Sequence, residues 1–223
     1  MKITCDRQKL MSAFQTAASV APSRSPKPIL QNIKLIAEGD KAILMATDTE
    51  VGIRLEVDGI EVASPGSVVL PVSRFGPILR ESTSDTLTIS TDGNSIEIVG
   101  ARSKFKLSAE NPDEFPEVAT FDEKKYHVIG SRLLKELVRR TLFATDNDSS
   151  RYALGGVLLV FEEDKITAVG TDGRRLAKME GQAKSVEGHG ASEITTIVPA
   201  RACLLYTSPS PRDATLSRMP SSA

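Results

Sequence analysis

The sequence predicts an α+β protein of two domains, each built from antiparallel strands with a short amphipathic helix near its start. Three observations predict this: apolar residues alternate along several runs bounded by Gly-Asp turns, a few segments carry apolar residues at helical spacing, and the whole pattern begins again past the middle of the 223 residues. Taken in order, Lys2 to Cys5 reads as a strand. A helix follows, capped by Asp6, with Leu10, Met11, Phe14 and Ala17 on one face, and Pro22, Pro26 and Pro28 end it. From Ile29 the period changes to two: Ile33 and Leu35, then Ile43, Leu44 and Met45, then Val51, Ile53, Leu55 and Val57, with turns at Gly39-Asp40 and Asp58-Gly59. After Val68 to Leu70 a second helix is expected over Ser73 to Glu81, with Gly76 and Pro77 arguing against an early start. Strands at Leu87 to Ser90, Ile96 to Val99 and Phe105 to Leu107 complete the set, two of them joined by Asp92-Gly93-Asn94. The acidic stretch Asn111 to Phe121, with Pro112 and Pro116, reads as a linker.

Beyond that linker the order restarts, with a strand at Tyr126 to Ile129, a cap at Ser131 and a helix over Arg132 to Thr141. The run DSSRYALGGVLLVFEEDKITAVGTDGRRLA then parallels PSRSPKPILQNIKLIAEGDKAILMATDTEVGIRL. Thr171-Asp172 falls where Thr47-Asp48 did and Ile197-Val198-Pro199 where Val69-Leu70-Pro71 did, at an offset of 124 to 128 residues. We therefore expect domain 1 over residues 1–122 and an incomplete domain 2 over residues 123–202. Residues 203–223, beginning CLLYTSPSPRD, are Ser- and Pro-rich and follow neither period. They resemble translated sequencing-adapter read-through, and a non-native or disordered tail is expected there.

Hydrophobic content of 40% and charged content of 26% exclude a disordered or coiled-coil chain. Cys5 and Cys203 are too few and too far apart for a disulfide framework or a metal-ligand motif, and no run is long enough to span a membrane, so a cytoplasmic location without membrane contact is expected. The Walker loop, G-x-G-x-x-G, G-x-S-x-G and H-E-x-x-H signatures are all missing. No catalytic residue, cofactor or metal is expected. His127 and His189 have no evident partners, and Asp48 and Glu50 read as a solvated strand face. Asp146, Asp148 and Ser150 imitate the start of a calcium loop, but Arg151 and Val157 stand where its glycine and closing glutamate belong.

The charge distribution is more informative than the net charge of -1. In the helix over Arg132 to Thr141, Leu133, Leu134, Leu137, Val138 and Thr141 form one stripe and Arg132, Lys135 and Arg139 another, so the helix buries its leucines while offering cations to a polyanion. Arg7 and Lys9 on the first helix and Arg74 and Arg80 on the second repeat the theme. The acids Glu38, Asp40, Glu50, Glu56, Asp58, Glu61, Glu162, Glu163 and Asp164 sit in strands and turns. On one helix alone such cations would simply solvate a face; their recurrence points to phosphate. With aromatics at 4% and no Trp, the contacts expected are to backbone phosphates, without sequence readout.

The segments KPILQNIKL, TDTEVGI, RSKFKLSAENPDEFPE, RYALGGVLLVFE and VGTDGRRLA followed by IVPAR, in that order and spacing, resemble the bacterial β sliding clamp family, processivity subunits of DNA polymerase III. The resemblance covers Met1 to Ala202. It implies clamp domains with antiparallel sheets outside and helices lining an inner face, three per chain, closed head to tail as a homodimeric ring around double-stranded DNA. It further implies DNA contacts at Arg24, Ser149, Arg151 and Tyr152. A pocket for peptides of DNA polymerase III, other polymerases and the clamp loader maps onto Leu154, Thr171, Gly173, Arg174, Arg175 and Leu176. A subunit interface maps onto Arg74, Arg102, Lys104 and Leu107. Departures are the absence of a third domain, so that this chain alone should not close a ring, and Ala153 where some members carry a second tyrosine. Two rivals remain: a small enzyme using Asp48 and Asp172, and a short protein that captures clamp partners without encircling DNA.

Overall fold

A computed structural model describes residues 1–93, 95–146, 151–189 and 196–207. The chain divides into two compact units, Met1–Thr120 and Phe121–Ala223.

In the first unit β1 (Lys2–Asp6) leads directly into α1 (Arg7–Ala18), whose N-terminus is capped by Asp6 accepting from the Lys9 amide. A 3-10 turn, Pro28–Gln31, precedes β2 (Asn32–Glu38), β3 (Lys41–Thr47), β4 (Gly52–Val57), β5 (Ile60–Ser64) and β6 (Gly66–Pro71). Then come α2 (Val72–Glu81), β7 (Thr86–Asp92), β8 (Ser95–Val99) and β9 (Lys104–Ser108). The strands form two antiparallel sheets, ordered β4-β3-β2-β6 and β5-β1-β7-β8-β9. Alternation explains the assignment: in β7, Leu87 and Ile89 are buried while their neighbours are not, and β8 repeats this with Ile96 and Ile98. At the centre Phe14 of α1 and Phe75 of α2 meet edge to face, ring centroids 5.1 Å apart.

Two local expectations are corrected here. Helix α2 begins at Val72 and runs through Pro77; the proline leaves only the Ser73 carbonyl without its helical donor, and Ser73 is exposed to solvent. The stretch read as a linker is in its first part a strap on unit 1. Phe115 is buried against Met45 and Val69, Val118 packs on the same cluster, and the Glu110 carboxylate accepts from Asn32 Nδ2 at 3.0 Å.

The second unit repeats this order with β10 (Tyr126–Val128), α3 (Ser131–Thr141), β11 (Gly156–Phe161), β12 (Lys165–Thr171), β13 (Leu176–Gln182), β14 (Lys184–Val186), β15 (Thr196–Pro199) and α4 (Ala200–Thr207). Its sheets are ordered β13-β12-β11-β15 and β10-β14, so each strand stands where its counterpart in unit 1 does. The Ser131 cap is not seen: Gly130 occupies that position without a side-chain bond, and Ser131 is the first helical residue. The core gathers Leu137, Val138, Val157, Ile166, Ala168, Ala183 and Cys203. The expected break at Cys203 therefore falls inside α4, which carries a buried Cys203 and continues to Thr207; residues 208–223 lie outside the described residues.

The repeat extends to individual hydrogen bonds. Thr47 Oγ1 donates to the Val51 carbonyl (2.9 Å) and accepts from the Thr49 amide (3.0 Å), while Asp48 Oδ1 accepts from the amides of Glu50 and Val51. In unit 2, Thr171 Oγ1 donates to the Arg175 carbonyl (2.8 Å) and accepts from Gly173 (3.0 Å), while Asp172 Oδ1 accepts from Arg174 and Arg175. The third residue of both turns is left-handed, with φ of 82° at Thr49 and 84° at Gly173. Glycine takes that conformation without strain and threonine does not.

Candidate functional site

Helix α3 sorts its residues by face. Leu137, Val138 and Thr141 are buried, with Leu133 and Leu134 packed against the same cluster, and Arg132, Lys135, Arg139 and Arg140 are exposed. Arg140 is a fourth cation that the three-residue stripe omitted; it stands one position past Arg139, and only the width of the exposed arc brings it in. Glu136 sits among them, receiving Arg140 Nε at 2.6 Å and lying 3.6 Å from Arg139. The hydrogen bond and charge of Arg140, with lesser contributions from Arg139 and Arg132, hold its carboxyl below the usual range. The face is therefore a cationic field with one internal counter-charge.

On α1 the sequence reading needs correction, because Arg7 does not face solvent as a cation. Its Nε donates to the Ser84 carbonyl (2.9 Å) and its Nη1 to the Leu79 carbonyl (3.1 Å), tying α1 to the end of α2. These carbonyls lie at the C-terminal end of a helix, where a cation is stabilising, so the position selects a positive charge for the fold. Lys9, Arg74 and Arg80 remain exposed.

Arg24 is exposed in the segment between α1 and the first 3-10 turn. Arg151 and Tyr152 are exposed at the start of a 3-10 turn, Tyr152–Leu154, with Tyr152 at 72% exposure; Ser149 lies outside the described residues. An aromatic ring so open gains nothing from burial and offers a flat apolar surface to an incoming group.

Five of the six residues of the expected peptide pocket lie in or beside one turn, and the sixth, Leu154, lies in the 3-10 turn Tyr152–Leu154. Thr171, Gly173, Arg174 and Arg175 form the β12–β13 connection described above, and Leu176 opens β13 directly across from Thr171 at 66% exposure. Asp172 also accepts from Arg175 Nε at 2.9 Å, and the amides of Arg174 and Arg175 hold its carboxyl below the usual range. Leu154 is partly buried, and its carbonyl accepts the Asp146 amide at 2.9 Å. Just before Asp146 lies Phe143, 61% exposed on a 3-10 turn (Leu142–Ala144), with the Arg175 guanidinium 5.8 Å above its ring. Phe143 was missed in the sequence because it continues the apolar run of α3; its exposure comes from the helix ending at Thr141. Two exposed apolar side chains beside a rigid, arginine-bearing turn can hold a short peptide with hydrophobic anchors.

The carboxylates of the enzymatic rival are both committed to turns, Asp48 in unit 1 and Asp172 in unit 2. The two histidines, in contrast, are partners. His127 and His189 approach Nδ1 to Nδ1 at 2.8 Å, and His127 Nε2 lies 2.8 Å from the Glu162 carbonyl. Since a carbonyl only accepts, His127 carries its proton on Nε2 and receives that of His189 on Nδ1. Among the described residues no group of three or more His, Cys, Asp or Glu side chains could hold a metal; of the calcium-loop imitation, Asp148 and Ser150 lie outside them. No helix is long and apolar enough to cross a membrane.

The expected interface residues lie on unit 1. Arg74 is on α2, Arg102 is exposed in the β8–β9 connection, and Lys104 and Leu107 lie on β9, the outer strand of its sheet, where Lys104 pairs with Glu97 at 2.8 Å.

Residues 1–119 match the family described as DNA polymerase III beta subunit, N-terminal domain, and residues 128–207 match its central domain. The beta sliding clamp of Chlamydia muridarum is 32% identical over 81% of this chain and 49% of its own length. That of Pseudomonas aeruginosa is 30% identical over 92% and 55%. The chain spans about half the length of the curated relatives it matches. Among solved structures, the DNA polymerase III subunit beta of Pseudomonas aeruginosa superposes with a TM-score of 0.84 at 28% identity, covering 96% of this chain and 58% of that one. The sliding clamp of Bacillus subtilis, at 24% identity, shares the fold with a TM-score of 0.85 over 93% and 56%.

Proposed function

Because this chain belongs to the DNA polymerase III beta subunit family, we propose that it carries the first domain and the opening part of the second of a sliding clamp, a non-catalytic tether for DNA polymerases in the cytoplasm. The whole protein closes as a homodimeric ring around duplex DNA, and topology, with weak phosphate contacts, keeps it on the duplex while allowing it to slide. Arg132, Lys135 and Arg139 supply those contacts together with Arg24, Ser149, Arg151 and Tyr152. The turn Thr171 to Leu176, with Leu154, receives the peptides of DNA polymerase III, other polymerases and the clamp loader. Arg74, Arg102, Lys104 and Leu107 meet the neighbouring subunit, for which the outer edge of β9 is a suitable surface.

The observation that carries this reading is α3, whose exposed arc holds four cations against one carboxylate while its opposite face is core. Long side chains on a rigid helix reach phosphates without reading bases, as a sliding contact requires. The test loads the full-length protein onto nicked circular DNA and then linearises the circle. Release on cutting is expected, and retention on linear DNA with free ends would overturn the topological reading.

A further inference from the structure

His127 stands in the middle of β10, opposite Ser185 of β14, and the chain beyond β14 doubles back to bring His189 onto it. The return is fixed by the main chain. Glu187 and Gly188 are left-handed, with φ of 52° and 69°, the His189 amide donates to the Val186 carbonyl (3.2 Å), and Ser185 Oγ donates to the His189 carbonyl (2.8 Å). His127 is held on its other side by the Glu162 carbonyl, 2.8 Å from Nε2, and by the Phe161 ring, whose centroid lies 5.1 Å from its own. In unit 1 Ile3 stands where His127 does, so the shared strand does not itself require an imidazole here.

A histidine that gives its Nε2 proton to a carbonyl keeps its Nδ1 lone pair free, which is how outer partners set the tautomer of metal-bound histidines. His189 has only to carry its proton on Nε2 instead of Nδ1 to present a second lone pair at the same point. The two Nδ1 atoms are 2.8 Å apart, and the rings are inclined at 85° to each other. An ion about 2.0 Å from both nitrogens holds ligands at a right angle about 2.8 Å apart, whereas tetrahedral ligands would stand about 3.3 Å apart. The separation therefore suits the square-planar or tetragonal preference of Cu2+ and Ni2+ better than the tetrahedral one of Zn2+.

We propose that His127 and His189 form a binding site for a divalent transition metal of tetragonal preference, each ligating through Nδ1, with water at the remaining positions. The ion replaces the shared proton and clips the loop after β14 to β10, approaching from the side of the exposed Glu187 and Gly188. Structural metal sites carry four protein ligands, and with two the ion is exchangeable and the fold does not depend on it.

The probe is Ni2+, titrated at about pH 8, above the ordinary histidine range, into the untagged 223-residue protein, with amide exchange followed by mass spectrometry. One equivalent is expected to bind, and at free Ni2+ tenfold above its Kd the amides that exchange by opening of the β10–β14 ribbon should do so about 11-fold more slowly. His127→Gln and His189→Gln should each weaken binding at least tenfold. Each variant is compared with and without Ni2+, so a less stable variant still reports on the site. Absence of saturable binding, binding unchanged by either substitution, or tighter binding of Zn2+ than of Ni2+ overturns the proposal.

Discussion

The cationic arc of α3 makes the most direct prediction. Replacing Arg132, Lys135 and Arg139 together by Ala removes three charges while keeping the helix, since alanine has the highest helix propensity and none of the three is buried. Each phosphate neutralised on duplex DNA contributes about 0.9 to the slope of log K against log salt, so the slope should fall by up to about 2.7. Between 50 and 200 mM salt that difference amounts to roughly 40-fold in relative affinity. The structure adds a second, opposite perturbation. Glu136 occupies Arg140 at 2.6 Å and stands 3.6 Å from Arg139, so Glu136→Gln releases both guanidinium groups and should tighten binding and steepen the slope by up to about 0.9. The assay is fluorescence anisotropy of a labelled duplex over a salt series, with circular dichroism to verify that the helices persist. An unchanged slope in the triple variant, or weaker binding by Glu136→Gln, would refute the reasoning.

Four further outcomes follow from the structure. Thr49→Gly relieves a left-handed threonine at φ 82° and should stabilise unit 1 by about 1 kcal/mol in urea unfolding; a loss of stability would contradict the strain. Phe75→Ala empties half of the buried aromatic pair and should cost about 3–5 kcal/mol in the same assay; a loss near zero would mean that the pair is not packed as described. Burial pushes the Cys5 thiol up to about 12, so its contribution to stability is complete below about pH 9 and is lost as pH rises toward 12; at pH 8, thiol labelling should be rate-limited by opening, and labelling as fast as a free cysteine would contradict this. Lys165 and Lys178 hold the Glu180 carboxyl down to about 2, so its stabilisation is present above the usual carboxylate range and fades as pH falls toward 2; because the group is exposed, Glu180→Gln should remove only a small, salt-sensitive part of the acid limb of a pH–stability curve.

The sequence carried the framework because period-two and helical spacing depend only on which face is buried, and both units bury one face of each element. Asp6 as a cap and the apolar stripe of α3 were legible for that reason. What was not legible depended on tertiary partners. Arg7 resembles any helix cation until the carbonyls of Leu79 and Ser84 are brought to it, and His127 and His189 acquire their partnership only when the loop after β14 returns to β10. The stretch around Phe115 has a linker's composition, yet one aromatic ring seated against Met45 and Val69 makes it part of the fold.

The Thr-Asp turns show why the repeat was more informative than any single motif. Alone, Thr171-Asp172 is a polar dipeptide at a strand end, compatible with an acid-base site. Its match to Thr47-Asp48 at a fixed offset meant that a proposed role had to account for two copies, and the shared hydrogen bonds supply one: each aspartate pins two amides and each threonine closes the turn. What differs between the copies is then the better guide to function. Where unit 1 has Thr49, Glu50 and Val51, unit 2 has Gly173, Arg174 and Arg175, and where β4 opens with Gly52, β13 opens with an exposed Leu176. The scaffold is kept while its charge and its apolar surface are changed, so a difference in role between the two turns would rest on those side chains and not on the backbone.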